Sequence, residues 1–488
     1  MVSRESGSTF LLRVFRIPTT PSLDAHCIMP IDHSNGKCYR LIAICLIMDI
    51  EEEVLRKISP SIEQREYVNS AVRDIISAVR EEFKKTSLNL DVMLVGSVAK
   101  DTYIGSPDLD VFILFPTTVG RRELQDIGLH IGRSILSDGR EHYAEHPYVR
   151  GTWRNLDVDL VPCYAVRDVS KIQTSVDRTP FHTKYINSHL KNGQHEQVRL
   201  LKQFMKGIGI YGAEASIQGF SGYLVELLIL KYGGMRNVLE ASATWKKGET
   251  ISLGERGRHF EDPFIFYDPV DKDRNVSSAL SLNNFALFIY AAREYLANPS
   301  LRFFFPNERR SFELSDIRNM LDERGTELLV VQIDRPDLID DDLFPQARRT
   351  LKGLTDLLED AGFAIYDKIF YISNNIYLVV ELEYTTLPNS IRHYGPPAWI
   401  DNAQSFLDKW SNKGLSEPFL EDGRWSVMIK RDFSEASILV RERFQQTSLG
   451  SAFRNLKGLV ITSGKRALIE ENRAAISALL DKRKNWEI

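Results

Sequence analysis

Leu94-Val95-Gly96-Ser97-Val98-Ala99-Lys100, followed by Asp108-Leu109-Asp110 and the apolar run Val111-Phe112-Ile113-Leu114-Phe115, is the stretch that decides the fold. An apolar run without alternation reads as a strand buried on both faces. The Gly-Ser turn ahead of it leaves backbone N–H groups free to hold phosphate oxygens. Residues at i and i+2 of a strand share a face, so Asp108 and Asp110 stand together at the mouth of a buried strand. There the two carboxylates repel, and desolvation adds to the cost unless a cation neutralises them. Divalent metal beside a nucleoside triphosphate is the chemistry this implies.

A third carboxylate lies downstream. Asn155-Leu156-Asp157-Val158-Asp159-Leu160-Val161-Pro162 has the alternation of a strand, and a neighbouring strand can bring Asp159 against Asp108 and Asp110. Asp157 shares its face, so spacing alone does not choose between the two. Three carboxylates can hold two metal ions roughly 3.5–4 Å apart, the arrangement that serves attacking and leaving oxygens in nucleotidyl transfer. All the proposed ligands are hard oxygens, which favours Mg²⁺ over zinc. Alone, an Asp-x-Asp is an ordinary solvated strand end and a Gly-Ser an ordinary turn. Their order and spacing, with the distant strand carboxylate, carry the inference.

That constellation resembles the nucleotidyltransferase superfamily that includes DNA polymerase beta. More narrowly, the chain resembles the archaeal, class I CCA-adding enzymes from Met48 to its C-terminal region, about nine-tenths of its length. The similarity rests on Gly96-Ser97 through Phe115-Pro116, Tyr143-Ala144-Glu145-His146-Pro147-Tyr148-Val149, and Val158-Asp159-Leu160-Val161-Pro162-Cys163-Tyr164. It continues through Val176 to His182, Val198 to Lys202, Gly209 to Glu214, Gly219 to Leu224 and Asp268 to Val276. The resemblance implies that Asp108, Asp110 and Asp159 are the catalytic metal carboxylates, with two Mg²⁺ ions as cofactors. It puts Gly96, Ser97 and Lys100 at the triphosphate, and His182, Lys202 and Tyr211 on the nucleotide. Thr179 would line the same pocket and Arg274 would help select the base. Lys100 stands where relatives often carry Arg, so a bidentate phosphate contact becomes a point-charge contact. Taken singly, His182, Lys202 and Tyr211 would read as a capping histidine, a solvated helix lysine and a core-edge tyrosine.

The implied reaction is attack of a tRNA 3′-hydroxyl on the α-phosphate of CTP or ATP, with pyrophosphate leaving, so that CCA is built without a template. The nearest rival is another template-independent polymerase, such as a poly(A)-adding enzyme. A more distant one is a catalytically silent RNA-binding protein that keeps the fold.

Composition sets the frame. The chain has 488 residues, 43% hydrophobic and 26% charged, values of a soluble globular protein of several domains. Its formal net charge of −4 excludes a uniformly basic coat, so an RNA partner needs a local basic surface. Candidates are Lys246-Lys247 with Arg256 and Arg258, Arg309-Arg310, Arg348-Arg349, Lys430-Arg431 and Lys482-Arg483-Lys484. Cys27, Cys38, Cys45 and Cys163 form no Cys-x-x-Cys pair and suggest neither a zinc ribbon nor a disulfide framework. Leu41 to Met48 is too short to span a bilayer, and the charged start lies too far from it for a signal peptide. A cytoplasmic protein without membrane contact is expected; a homodimer is left open.

The expected fold is α+β and multidomain. Residues 1–47, rich in Ser, Thr and Pro, read as a non-native or disordered extension, and Met48-Asp49-Ile50-Glu51 as a natural beginning. Residues 48–191 read as a polymerase beta-like catalytic domain. Within it, Val68, Val72, Ile75, Val79 and Phe83 mark an amphipathic helix. A helix follows near 121–136, with strands near 91–96, 109–115 and 156–161. Residues 192–305 read as a helical central domain. Residues 306–488 read as an α+β, tRNA-binding body with a strand-helix-strand-strand order, then a mostly helical tail from Ser390. Trp399, Trp410 and Trp425 are available there for packing or for stacking on RNA. Asp340-Asp341-Asp342 reads as helix-start stabilisation rather than metal binding.

Overall fold

The computed structural model describes residues 37–143, 147–455 and 458–488. Most of the extension expected over 1–47, with Cys27, lies outside them, as does Ala144-Glu145-His146 of the family motif. Helix α1 (Lys37–Ile58) runs without a break through Met48.

The first layer is a mixed sheet. Its strands are β1 (Asp91–Leu94), β2 (Leu109–Phe115), β3 (Arg140–Tyr143), β4 (Pro147–Trp153) and β5 (Leu156–Tyr164), ordered β1-β2-β5-β4-β3. Only β2 and β5 run parallel. Helices α2 (Ile62–Phe83) and α4 (Arg121–Ile135) cover one face, Val68, Ile75, Val79, Leu124 and Ile131 packing on Leu109, Val111, Ile113, Val158 and Leu160. Ser61 starts α2 through a reciprocal capping box with Gln64. A one-turn helix, α3 (Gly96–Ala99), links β1 to the loop before β2. The opposite face carries Asp110, Phe112, Asp159 and Cys163, because strand side chains alternate. Strands β3 and β4 were not among those expected; Arg, Glu, His and Gly interrupt their apolar pattern.

The second unit is helical, as its periodicity predicts. Helices α5 (Thr179–His189), α6 (Gln194–Gly207), α7 (Gly222–Tyr232), α8 (Met235–Ser242) and α9 (Leu282–Ala297) gather around Phe204, Phe220, Leu224, Leu228, Phe264 and Phe288. A two-stranded parallel ribbon, β6 (Glu249–Ile251) with β7 (Phe264–Phe266), closes one side. Val54 and Ile58 of α1 and Ile186 of α5 also pack into this core.

The third unit opens with α10 (Leu314–Arg324), which was not expected, and then β8 (Glu327–Asp334), α11 (Asp340–Asp360), β9 (Ile365–Ile372) and β10 (Asn375–Leu382), the strand-helix-strand-strand order read from sequence. Asp340, Asp341 and Asp342 lie in the first turn of α11, where the helix dipole favours them, but none of them caps it: Asp340 accepts from Arg335 at 2.9 Å, and Asp341 accepts from the backbone N–H of Ala215 at 3.1 Å. The segment from Ser390 departs from a mostly helical tail. It forms an antiparallel sheet of β11 (Ser390–Pro397), β12 (Phe419–Glu421) and β13 (Arg424–Lys430), flanked by α12 (Ala403–Trp410). These strands are half-exposed, and Arg392, His393, Gly395 and Pro397 hide their alternation. Helix α13 (Ala436–Arg443), strand β14 (Val460–Ser463) and helix α14 (Glu470–Leu480) follow. Strand β14 adds to β8, giving the order β14-β8-β10-β9. Several expected basic positions serve the fold: Arg309 and Arg483 both pair with Asp481, and Arg431 donates to the carbonyl of Ala361.

One seam joins the first two units. The loop after α3 is fastened to α6 by Arg199, which is fully buried. Its guanidinium donates to the carbonyls of Tyr103 at 3.0 Å and Asp101 at 2.5 Å, and to the Asp101 carboxylate at 2.6 Å. The carboxylate is half-exposed, so screening weakens that contact; the two carbonyls matter more. Arg199→Met keeps the volume of the stem but leaves both acceptors without a donor. An unfolding free-energy loss of about 3 kcal/mol is expected, read from the urea midpoint. A loss below about 1 kcal/mol, the scale of one ordinary hydrogen bond, would show that the seam does not depend on this residue.

Candidate active site

The register of the parallel pair β2–β5 sets Asp110 directly opposite Asp159. On the other side of β5, Arg150 of β4 stands opposite Asp159. Asp108 precedes β2, so three sequence-predicted carboxylates gather at one end of the central strands. Asp157, the alternative left open by spacing, falls beyond the paired stretch and is exposed. Burial, with the charges of Asp159 and Asp108, pushes the Asp110 carboxyl up to about 6. Burial likewise raises Asp159. Asp159 Oδ1 is buried and accepts no hydrogen bond; the nearest cation, Arg150 Nε, lies 3.8 Å away.

Gly96 is required by geometry. Its φ is +70°, and a Cβ there would fall 1.8 Å from Asp110 Oδ2. The Gly-Ser turn therefore lies against the carboxylate, with Ser97 next in α3.

Sequence reasoning missed Arg150. Its Nη2 stands 3.4 Å from Asp108 Oδ2 and 3.7 Å from Asp157 Oδ2, so one guanidinium lies among three acidic side chains. Among the described residues no three His, Cys, Asp or Glu groups already enclose a metal position; Arg150 spans the gap instead. The donor set still fits a hard divalent cation. It is all oxygen, mutually repelling, and includes one buried oxygen without a partner.

The predicted lysines meet one turn of helix away. Lys100 Nζ donates to Glu226 of α7 at 2.6 Å, and Lys202 Nζ of α6 lies 3.5 Å from the same carboxylate. Thr102 donates to Glu226 at 2.7 Å and accepts from Lys202 at 3.1 Å. Burial pulls the Lys202 ammonium down to about 8, against the support of Glu226. Tyr211 lines this cluster, since a Cβ on Gly222 would meet its hydroxyl at 3.0 Å and Lys202 Nζ at 3.8 Å. A carboxylate inside the otherwise apolar Leu224–Leu230 was the available signal for Glu226, because a buried charge needs a partner.

His182 and Arg274 converge on a second buried acid, Asp268. His182 Nε2 lies 2.9 Å from Asp268 Oδ2, and Arg274 Nη1 donates to that oxygen at 2.9 Å. Tyr223 of α7 donates to Oδ1 at 3.1 Å, and its ring stacks on His182 at 3.9 Å between centroids. Burial lowers the pKa of His182 in spite of Asp268, and the charge of Lys100 adds to that lowering. Lys100 also acts on Asp110, in the opposite sense to its acidic neighbours. The carboxylates, the lysine cluster and the His182–Arg274 cluster are thus contiguous. Thr179 starts α5 one turn before His182 and is half-buried.

Comparison with known proteins covers the same three units. Residues 72–182 match the nucleotidyltransferase domain family, residues 196–305 the second domain of tRNA nucleotidyltransferase, and residues 324–463 the C-terminal domain of CCA-adding enzyme. The chain is 37% identical over 411 residues to the CCA-adding enzyme of Methanosarcina barkeri, covering 82% of this chain and 90% of that one. It is 39% identical over 402 residues to that of Methanoregula boonei, covering 80% and 86%. For Haloarcula marismortui the values are 36% over 404 residues, 79% and 87%.

Removing one of the repelling carboxylates should stabilise the fold. The folded-state pKa of Asp110 lies above its unfolded value, so its ionisation costs stability. That cost builds as pH rises from about 4 to about 6 and is full above. In chelator, Asp110→Asn should raise the thermal midpoint by a few degrees at about pH 7.5 and by less at about pH 5. A gain equal at both values, or a fall, contradicts the like-charge account.

Proposed function

The chain belongs to the CCA-adding enzymes, which extend tRNA 3′ ends from CTP and ATP without a template, and we propose that Asp108, Asp110 and Asp159 are its catalytic, metal-binding carboxylates. The observation that carries this is the strand register that sets Asp110 against Asp159 with a buried Asp159 oxygen lacking a partner. Two Mg²⁺ ions bound there would supply the charge that activates the tRNA 3′-hydroxyl and stabilises the leaving pyrophosphate. Asp110 and Asp159 face the attacking oxygen and Asp108 the triphosphate side. Gly96 keeps the turn close to that centre, and Ser97 and Lys100 take the triphosphate as it seats.

The lysine pair and Tyr211 bind the phosphates, while Thr179 and His182 line the pocket. Arg274, anchored on Asp268 at 2.9 Å, offers its remaining N–H groups to the base. Preorganised donors of this kind favour charge as it develops, without reorganising during the reaction. We place the work in the cytoplasm. No helix among the described residues is long and apolar enough to cross a membrane.

Three tRNAs, ending before CCA, after C and after CC, test the activity when offered labelled CTP or ATP. C should enter the first two and A only the third. Repeated A addition to all three would instead mark a poly(A)-adding enzyme.

Base choice is separable from chemistry. Arg274→Ala leaves the carboxylates, which lie in another unit, but removes hydrogen bonds worth about 1–3 kcal/mol each. Use of the correct nucleotide should fall roughly ten- to hundredfold. UTP and GTP should gain ground on CTP and ATP in single-turnover incorporation, with tRNA binding unchanged. Equal slowing of all four nucleotides would assign Arg274 to phosphate or closure instead.

A further inference from the structure

Helix α7 is apolar from Leu224 to Leu230 except at Glu226, whose side chain is fully buried. A buried carboxylate needs one cation to be neutral, and Glu226 has two. Lys100 reaches it from the loop after α3, and Lys202 from α6. Lys202 Nζ also donates to the Thr102 carbonyl at 3.0 Å and to its hydroxyl at 3.1 Å. Both ammonium groups are nearly excluded from water. Taken by itself, the cluster therefore holds one positive charge more than its own anion cancels; Asp110, on the far side of the turn, feels Lys100 but makes no bond to it. Lys206, one turn along α6, adds to the surplus at Lys202. Excess charge at such depth is expensive unless an anion arrives to share it. A purely structural bridge across the seam would be complete with one lysine.

The surplus faces the nucleotide pocket. Lys100 follows Gly96-Ser97 in the turn that touches Asp110, and Tyr211 stands beside Lys202 over Gly222. The two lysines come from different units, yet Glu226 sets both their positions. We propose that Glu226 is a positioning residue for triphosphate recognition, holding Lys100 and Lys202 as a ready-made pair that meets the phosphates of the incoming nucleotide. This rests on the assignment of the site to CTP and ATP. Without Glu226 the two ammonium groups repel in a buried space, and Lys202, already pulled down to about 8 by burial, loses the group that supports its charge. One lysine then gives up its proton or turns away, and the pair is gone. The bonds of Glu226 go to Lys100 and Thr102, with Lys202 beside it, rather than to the His182–Arg274 cluster, so its influence should be confined to the phosphates.

The test is the ratio of CMP to CTP dissociation constants, measured by calorimetry on the full chain. A ratio cancels any loss of folded protein, which a merely structural role would cause. Glu226→Gln should narrow it by roughly tenfold, about 1.4 kcal/mol, while the preference for CTP over UTP stays as in the unaltered chain. In combination with Lys202→Met the effects should be less than additive, since both act on one group. Thr102→Val, which removes the hydroxyl that donates to Glu226 and accepts from Lys202 but no charge, should narrow the ratio about threefold, because both partners are held less firmly; it carries the test if Glu226→Gln does not fold. An unchanged ratio in the folded variant overturns the proposal. A widened ratio also overturns it, because Glu226 would then compete with the triphosphate for the lysines. If the unaltered chain does not prefer CTP to CMP, the nucleotide assignment itself fails, independently of Glu226.

Discussion

Repulsion between Asp110 and Asp159 is the constraint that organises this molecule. Parallel pairing of β2 with β5 places the two carboxylates, each half-buried, side by side on strands that are otherwise largely buried, a position neither would hold for stability. Their surroundings respond to that charge. Arg150 leans in from β4, the Gly96 backbone presses against Asp110, and Lys100 offsets the acids from above the turn. Arg150 is too distant to bond the buried Asp159 oxygen, so the compensation is incomplete. A site whose own residues cannot neutralise it is suited to a divalent cation.

The proposed nucleotide pocket is shared between units, and α7 is the element that makes the sharing possible. Tyr223 and Glu226 are three residues apart and so lie on one face of the helix. Tyr223 contacts Asp268, which aligns His182 and Arg274, while Glu226 gathers Lys100 and Lys202. One helix thus relates the His182–Arg274 cluster, proposed to meet the base, to the lysine pair proposed to meet the phosphates. Arg199, two turns before Lys206, holds the same loop from α6. The catalytic strands and the recognition helices are fastened within a few residues of the reacting centre, which limits the error between them.

The sheet and its helices were legible because burial on one face imposes a period. The run Val111 to Phe115 and the recurrence of Val68, Ile75 and Val79 needed no outside knowledge. The carboxylate pair was legible for the opposite reason, as charge where the pattern demanded apolar residues. Arg150, Asp268 and Arg199 were not, since their roles depend on which strand or loop comes opposite. Cross-strand partners leave no local mark. Glu226 did leave one, a lone acid in an apolar helix, but two of its partners, Lys100 and Thr102, lie more than a hundred residues away. Strands β11 to β13 were hidden by their own exposure, because Arg392, His393 and Pro397 need not alternate where no core enforces it.

The central claim is that divalent metal completes what Arg150 leaves unfinished. Its most direct test is the anomalous scattering of crystals grown with Mn²⁺ and CTP. The account predicts manganese peaks bonded to Asp110, Asp159 and Asp108, with the Arg150 guanidinium withdrawn from between them. Bound CTP with no manganese at these carboxylates, and Arg150 still lying among Asp108, Asp157 and Asp159, would contradict it.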